Sequence, residues 1–341
     1  MIINKKKISI LSEPYIIAEL SGNHEGNINN FFKLINIAKK AGANAIKLQT
    51  FKPDKITINS RKKFFIVKHK FKKWDKKTLY ELYKKSYTPW EWHQPLKILA
   101  HKNKLDFIAT PFHESAVDFL AKLKVSCIKI SSFEFNDHNL VEYASKKKIP
   151  MILSSGMASK EEIKTNYNIV KKNLKNNFAI LKCSSNYPAT YKDLNLKTIS
   201  ELRKKLNCEI GYSDHTTDNV ASLVAISKGA SIIEKHICLD KSIGIDSNFS
   251  LTPNKFMKFV IDCKLAWKAL GKIKYGPTIS EKNSFKSRRS LFAIKEIKIG
   301  EKFDKENIAS VRPSDGLSPR FFKKLIGKKS KKKFSVGDPI K

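Results

Sequence analysis

His215 and His236 each close a short apolar run, in Gly-Tyr-Ser-Asp-His and Ile-Ile-Glu-Lys-His. Two other apolar runs carry a lysine, Lys47 in Ala-Ile-Lys-Leu-Gln and Lys129 in Cys-Ile-Lys-Ile. Imidazoles at equal heights on neighbouring strands can bind a metal, and with open positions they suit Mn, Fe, Co or Zn. Either histidine alone reads equally well as a hydrogen-bonded core residue. A lysine hidden in an apolar strand is costly unless paired, and carboxylates able to pair with these two are few along the runs. An anionic ligand therefore accounts for them better than strand ends that reach solvent.

Side chains alternate along a strand with period two. Lys47 then shares a face with Gln49, Lys129 with Ser131, Ser213 with His215, and Glu234 with His236. If those faces turn inward near one end, two lysines, two histidines and a glutamate converge.

The elements that must position them repeat eight times. Strands are expected at Tyr15–Ser21, Ala45–Phe51, Asp106–Phe112, Cys127–Phe133, Met151–Ser155, Phe178–Ser185, Glu209–His215 and Ser231–Ile237. Lysine-rich amphipathic stretches separate them, among them Phe31–Lys40, Pro95–Lys102, Ala116–Leu123 and Asn219–Lys228. Strands alternating with helices imply βαβ units and a parallel sheet. Eight such units make an α/β fold, the (β/α)8 TIM barrel, whose reactive residues gather at the C-terminal ends of the strands. The long second connection, about residues 52 to 105, is expected to cover the mouth, with Trp74, Trp90 and Trp92 as an apolar wall.

The chain has 341 residues, and a barrel takes about 250, which leaves room for a small second domain. The expected division is a catalytic barrel at 1–270, a Gly-, Lys- and Ser-rich linker at 271–287 and a small domain of strands and turns at 288–341. The formal net charge of +36 raises the question of nucleic acid. The lysines are spread throughout, however, and no nucleic-acid-binding signature accompanies them. The densest runs, Arg61–Lys77 and Lys323–Lys333, read as solvated faces, so neither a nucleic-acid nor a membrane partner is expected. No apolar run approaches the roughly 18 residues of a membrane span. The start lacks the features of a signal peptide. Five cysteines without Cys-x-x-Cys spacing read as reduced, buried thiols of a cytoplasmic protein.

The motifs, taken in order, resemble those of the sialic acid synthase family, and within it the branch that makes pseudaminic acid. The resemblance runs through Ala18-Glu-Leu-Ser-Gly-Asn-His-Glu-Gly26, Ala45-Ile-Lys-Leu-Gln-Thr50, Thr110-Pro-Phe112 and Lys129-Ile-Ser-Ser-Phe-Glu134. It continues through Ser154-Ser-Gly-Met157, Cys183-Ser-Ser-Asn-Tyr-Pro188, Gly211-Tyr-Ser-Asp-His-Thr216 and Ile233-Glu-Lys-His236. Arg289-Ser-Leu and the Arg312-Pro segment resemble the antifreeze-like module, a SAF domain of β-clip type, that the family carries.

The resemblance implies that phosphoenolpyruvate condenses with the open-chain aldehyde of an amino sugar, releasing phosphate. It implies phosphoenolpyruvate binding by Lys47, Lys129, Ser132, Ser154, Ser185, Tyr187 and Ser213, with Gln49 and Thr110 also contacting substrate. Ser185 stands where sialic acid synthases have Asn. His215 and His236 would bind a divalent ion, Mn2+ before Mg2+ or Co2+. His236 would also act in catalysis, with Glu25 and Glu234, while Asp246 would meet the sugar. Arg312 would reach the sugar from the partner subunit of a domain-swapped homodimer. The implied acceptor is a 6-deoxy diacetamido hexose, 2,4-diacetamido-2,4,6-trideoxy-L-altrose. The competing acceptors are N-acetylmannosamine and the legionaminic acid precursor. Two other readings differ in kind: a Schiff-base aldolase using Lys47 or Lys129, and a non-catalytic barrel that binds polyanions.

Overall fold

A two-stranded hairpin, β1 (Ile2–Ile3) and β2 (Lys6–Lys7), precedes eight parallel strands that close into a barrel. These are β3 (Tyr15–Glu19), β4 (Ala45–Thr50), β5 (Asp106–Pro111), β6 (Cys127–Ile130), β7 (Met151–Ser154), β8 (Phe178–Cys183), β9 (Glu209–Asp214) and β10 (Ile232–His236). Strand β10 pairs with both β9 and β3, which completes the ring. This is the expected TIM barrel, in a computed structural model that describes residues 1–68 and 74–341. Residues 69–73, part of the basic run Arg61–Lys77, lie outside the described residues. The chain divides into two units, Met1–Gly271 and Lys272–Lys341.

Period two explains why a packed barrel ends in a reactive surface. Ile17, Ala45, Ile108, Cys127, Ile152, Ala179, Leu181 and Ile232 fill the barrel's interior together with Ile3 and Ile8 from the hairpin. Two residues on, the same inward face carries Glu19, Lys47, Thr110, Lys129, Ser154, Cys183, Ser213 and Glu234, all buried. The outward face of each strand packs on the surrounding helices; Ile16, Ile46 and Phe107 share one core with Leu34 and Leu96.

The strands stop one to three residues earlier than expected. Ser21, for example, adopts φ 49° beyond the end of β3, because the polar residues past each strand turn away to form the mouth. Three of the four expected helices begin two or three residues earlier than their apolar periodicity suggests, and the fourth begins at Val220 rather than Asn219. The first runs Ile28–Ala41, with the Asn27 side chain accepting from the Asn29 backbone. Such caps satisfy first-turn N–H groups that an apolar pattern does not register. In the long second connection, Thr78 and Glu81 form a reciprocal cap that starts helix Leu79–Ser86.

The second unit contains an antiparallel pair, β11 (Ser290–Ala293) and β12 (Ile308–Val311). Its core is Leu291, Ala293, Ile297, Phe303, Ile308, Phe334 and Ile340. The stretch expected as a linker is exposed and carries one short helix, Lys282–Phe285. Among the described residues no helix is long and apolar enough to cross a membrane.

Candidate active site

The floor of the site is an ionic cluster. Lys47 Nζ lies 2.7 Å from Glu19 Oε2 and 3.3 Å from Glu234 Oε1, and it donates to Thr110 Oγ1 at 3.3 Å. Lys129 Nζ is 3.7 Å from Glu234 Oε2, and Ser213 donates to Glu234 Oε1 at 3.1 Å. The expectation that the lysines lack carboxylate partners is therefore corrected. Glu19 was missed, although it follows Ile17 by two residues and so shares its inward face. Burial works against the charge on Lys47, but Glu19 and Glu234 outweigh it and hold this ammonium above its ordinary value. Burial lowers Lys129. Glu234 is also penalised by burial, yet Lys129 and Lys47 more than offset this and keep its carboxyl below the usual range. Burial pushes Glu19 up to about 7 despite Lys47. The cluster thus sets two lysines, one held firmly charged, against one firm anion and one carboxyl raised to about 7.

Beside the lysines is a cradle of hydroxyls. Ser154 Oγ and Ser185 Oγ are buried with no hydrogen-bond partner, a costly state unless a ligand completes it. A Cβ added to Gly156 would lie 2.3 Å from Ser185 Oγ and 2.7 Å from Ser132 Oγ, so glycine keeps this space open. Ser132 Oγ also lies 3.3 Å from Cys183 Sγ, which in turn lies 3.8 Å from His215 Nδ1. Cys183 is therefore no inert core thiol. Burial opposes its ionisation, but His215 and Ser132 outweigh that and draw it down to about 7.

Strands β9 and β10 pair Glu234 with Ser213 and Lys235 with Asp214. The two histidines that follow therefore stand side by side, with ring centroids 5.3 Å apart. His215 Nδ1 lies 2.9 Å from the Ser184 carbonyl, an arrangement in which Nδ1 donates and Nε2 is free to ligate. His236 Nδ1 is buried without a partner. Burial and the neighbouring His215 hold His236 far below its usual value and so in its neutral form. Against burial, Cys183 and the Ser184 carbonyl raise His215, but adjacent imidazoles, one with an orphaned nitrogen, still offer donors that suit a divalent ion. On the outer face of these strands Lys235 forms a fully buried pair with Asp214, at 2.9 Å, and donates to the Thr216 carbonyl at 2.7 Å. This pair ties the two histidine-bearing strand ends together.

A cavity of about 390 Å3 opens above the floor. Lys47, Gln49, Lys129, Ser132, Ser154, Tyr187, Ser213, His215, Glu234, His236 and Asp246 all line it. Asp246 accepts from Ser21 Oγ, which also receives Gln49 Nε2 at 3.2 Å. The Tyr187 ring lies 4.4 Å from that of His215. Glu134 lines the cavity too, although it reads from sequence as a loop residue. Burial raises it to about 7 against a hydrogen bond from Ser131.

Two expectations are not met. Glu25 is exposed, accepts from the Gly244 N–H at 2.8 Å and stays outside the cavity lining. Of the three tryptophans only Trp74 lines the cavity. Trp90 stacks on Phe119 at 4.6 Å and Trp92 packs edge-on against His24 at 5.5 Å, so both are held among the helices by aromatic contacts. Arg312 is exposed in the second unit, where the resemblance puts it.

Comparison with known proteins adds a lineage to this geometry. Residues 34–275 match the NeuB family and residues 288–341 the SAF domain. A pseudaminic acid synthase from Campylobacter jejuni is 44% identical over 96% of this chain and 95% of its own length. An N,N'-diacetyllegionaminic acid synthase from Legionella pneumophila is 32% identical over 96% of this chain and 93% of its own. The crystal structure of an N-acetylneuraminic acid synthetase from Leptospira borgpetersenii in complex with citrate superposes with a TM-score of 0.74. It is 33% identical and covers 83% of this chain and 94% of that one.

Proposed function

The chain belongs to the NeuB family, and from that premise we propose that it condenses phosphoenolpyruvate with 2,4-diacetamido-2,4,6-trideoxy-L-altrose and water, giving pseudaminic acid and phosphate. The observation that carries the reading is the pair of orphaned hydroxyls, Ser154 Oγ and Ser185 Oγ, the first of which lines the cavity with Lys47 and Lys129. Those groups offer fixed charge and unspent hydrogen-bonding capacity to an anion, as phosphoenolpyruvate requires. The acceptor follows the Campylobacter jejuni relative, which exceeds the legionaminic acid synthase in identity, 44% against 32%.

Lys47 and Lys129 bind the carboxylate and phosphate of phosphoenolpyruvate, with Ser132, Ser154, Ser185 and Ser213 completing the oxygens. Because these groups are already in place, little reorganisation is needed as charge develops. His215 and His236 hold the divalent ion, Mn2+ in this reading. When bound there, the ion supplies Lewis-acid polarisation to the aldehyde oxygen. Gln49 and Asp246 orient the sugar hydroxyls so that the C3 carbon of phosphoenolpyruvate faces the aldehyde carbon. Glu234, kept ionised by both lysines, stabilises the cation that forms at C2. Glu134, which lines the cavity and whose pKa burial raises to about 7, is poised to take a proton from the water that adds at C2. Collapse of the resulting tetrahedral centre breaks the C–O bond and frees phosphate.

The assembly in this reading is a homodimer in which Arg312 reaches the partner's sugar site. Its support is apolar exposure in the segment that follows the barrel unit: Ile273, Tyr275 and Ile279 are 94%, 93% and 82% exposed, apolar surface of the kind a partner chain covers.

The test is phosphate release from phosphoenolpyruvate with a panel of amino sugars. The trideoxy altrose sugar should give a higher kcat/KM than N-acetylmannosamine or the legionaminic acid precursor. A higher value for either competitor overturns the acceptor, and sugar-independent phosphate release overturns the reaction.

A further inference from the structure

The cavity has two unlike halves. The ends of β4 and β6–β10 supply the charged and hydroxyl groups, whereas the described residues of the connection after β4 supply a largely apolar wall. Ile56, Val67, Trp74, Leu79, Leu82 and Tyr83 line it, with Ser86 as the polar exception from the same segment. The wall is rigid. Tyr83 packs edge-on against Phe51 at 5.7 Å, and Phe51 against Phe112 at 5.3 Å. Trp74 Nε1 donates to the Ile245 carbonyl at 3.1 Å. A Cβ on Gly22 would meet Ile245 Cγ2 at 2.7 Å and Ser86 Cβ at 2.8 Å, so the loop after β3 clamps the wall against the sugar-facing loop.

A hydroxyl turned toward such a surface loses its water and gains no partner, a penalty that a methyl group escapes. We propose that this aliphatic wall is the subsite for the C6 methyl group of the acceptor and that Leu79 and Ile56 set the preference for a 6-deoxy sugar. The proposal rests on the function given above and goes further by assigning the discrimination to Ile56, Val67, Trp74, Leu79, Leu82 and Tyr83. Leu79 and Ile56 are only half-buried and lie at helix ends, so polar replacements there leave the core intact.

The experiment compares 2,4-diacetamido-2,4,6-trideoxy-L-altrose with its 6-hydroxy counterpart, 2,4-diacetamido-2,4-dideoxy-L-altrose. Wild-type, Leu79→Asn, Ile56→Asn and the conservative Leu79→Met are assayed with both sugars. The ratio of kcat/KM, deoxy over hydroxy, should exceed unity in the wild type and fall about tenfold in the two Asn variants, the scale of one methyl contact. It should persist in Leu79→Met, and the KM for phosphoenolpyruvate should be unchanged in all four. An equal fall for both sugars, or an unmoved ratio in both Asn variants, overturns the wall while leaving the reaction standing. A wild-type enzyme that turns over neither altrose sugar overturns the function, and the wall with it.

Discussion

Glu134 shows how a single side chain connects folding to chemistry. Its carboxyl is pushed from 4.5 to about 7 by burial, so the folded state binds the proton more tightly than the unfolded chain does. Its contribution to stability is then complete below pH 4.5 and is lost as pH rises through 7. Glu134→Gln should flatten the fall of Tm across that window in the ligand-free protein, and an unchanged slope would place the carboxyl in water. The histidines give a second test at this scale. His215→Ala or His236→Ala should abolish turnover while far-ultraviolet circular dichroism stays native, because neither ring is needed to fill the core. Full activity after exhaustive chelation would remove the ion from the account. The lysines, histidines and Glu234 were legible because reactive residues in apolar strands are conspicuous. Glu19 and Glu134 were not, since an acid at a strand or loop end looks the same whether it meets a buried lysine or solvent. Glu25 illustrates the converse: a residue within a recognised motif whose loop, at φ 48°, carries it outside the cavity lining.

At the scale of elements, the turn after β7 is the sharpest case. Gly156→Ala would place a methyl group among Ser132 and Ser185, in the space assigned to phosphate. Displacing reactants by an ångström costs up to about a hundredfold in rate, so this variant should raise the KM for phosphoenolpyruvate at least tenfold and leave that for the sugar nearly unchanged. A variant with normal steady-state constants would remove the cradle from the site. All eight strands were readable from apolar runs, because a parallel barrel buries both strand faces. Their ends were not, since polar residues past each strand keep the alternation while the backbone leaves the sheet. The N-terminal hairpin that plugs the barrel floor with Ile3 and Ile8 also escaped notice. Strands of two residues carry no periodicity to detect. Trp90 and Trp92 were misplaced for a related reason: sequence shows that an insertion is aromatic but not which rings face the cavity and which serve its own packing.

At the scale of the whole molecule, the proposed assembly brings two copies of the chain to each site. Mixing Arg312→Ala chains with His236→Ala chains should restore part of the activity in heterodimers, because one of the two sites then receives both intact residues. No recovery in verified heterodimers would mean that Arg312 acts within its own chain or not at all. The net charge of +36 plays no part in this scheme. The cations that matter are the two buried lysines, whose value lies in being fixed beside Glu234 rather than in their number. The central claim is that these lysines and the neighbouring serines hold phosphoenolpyruvate while its C–O bond breaks. It is tested most directly with phosphoenolpyruvate carrying heavy oxygen at the bridging position, incubated with the acceptor sugar. The account predicts that the label leaves entirely in the released phosphate. Retention of the label in the sugar acid would show P–O cleavage and contradict it.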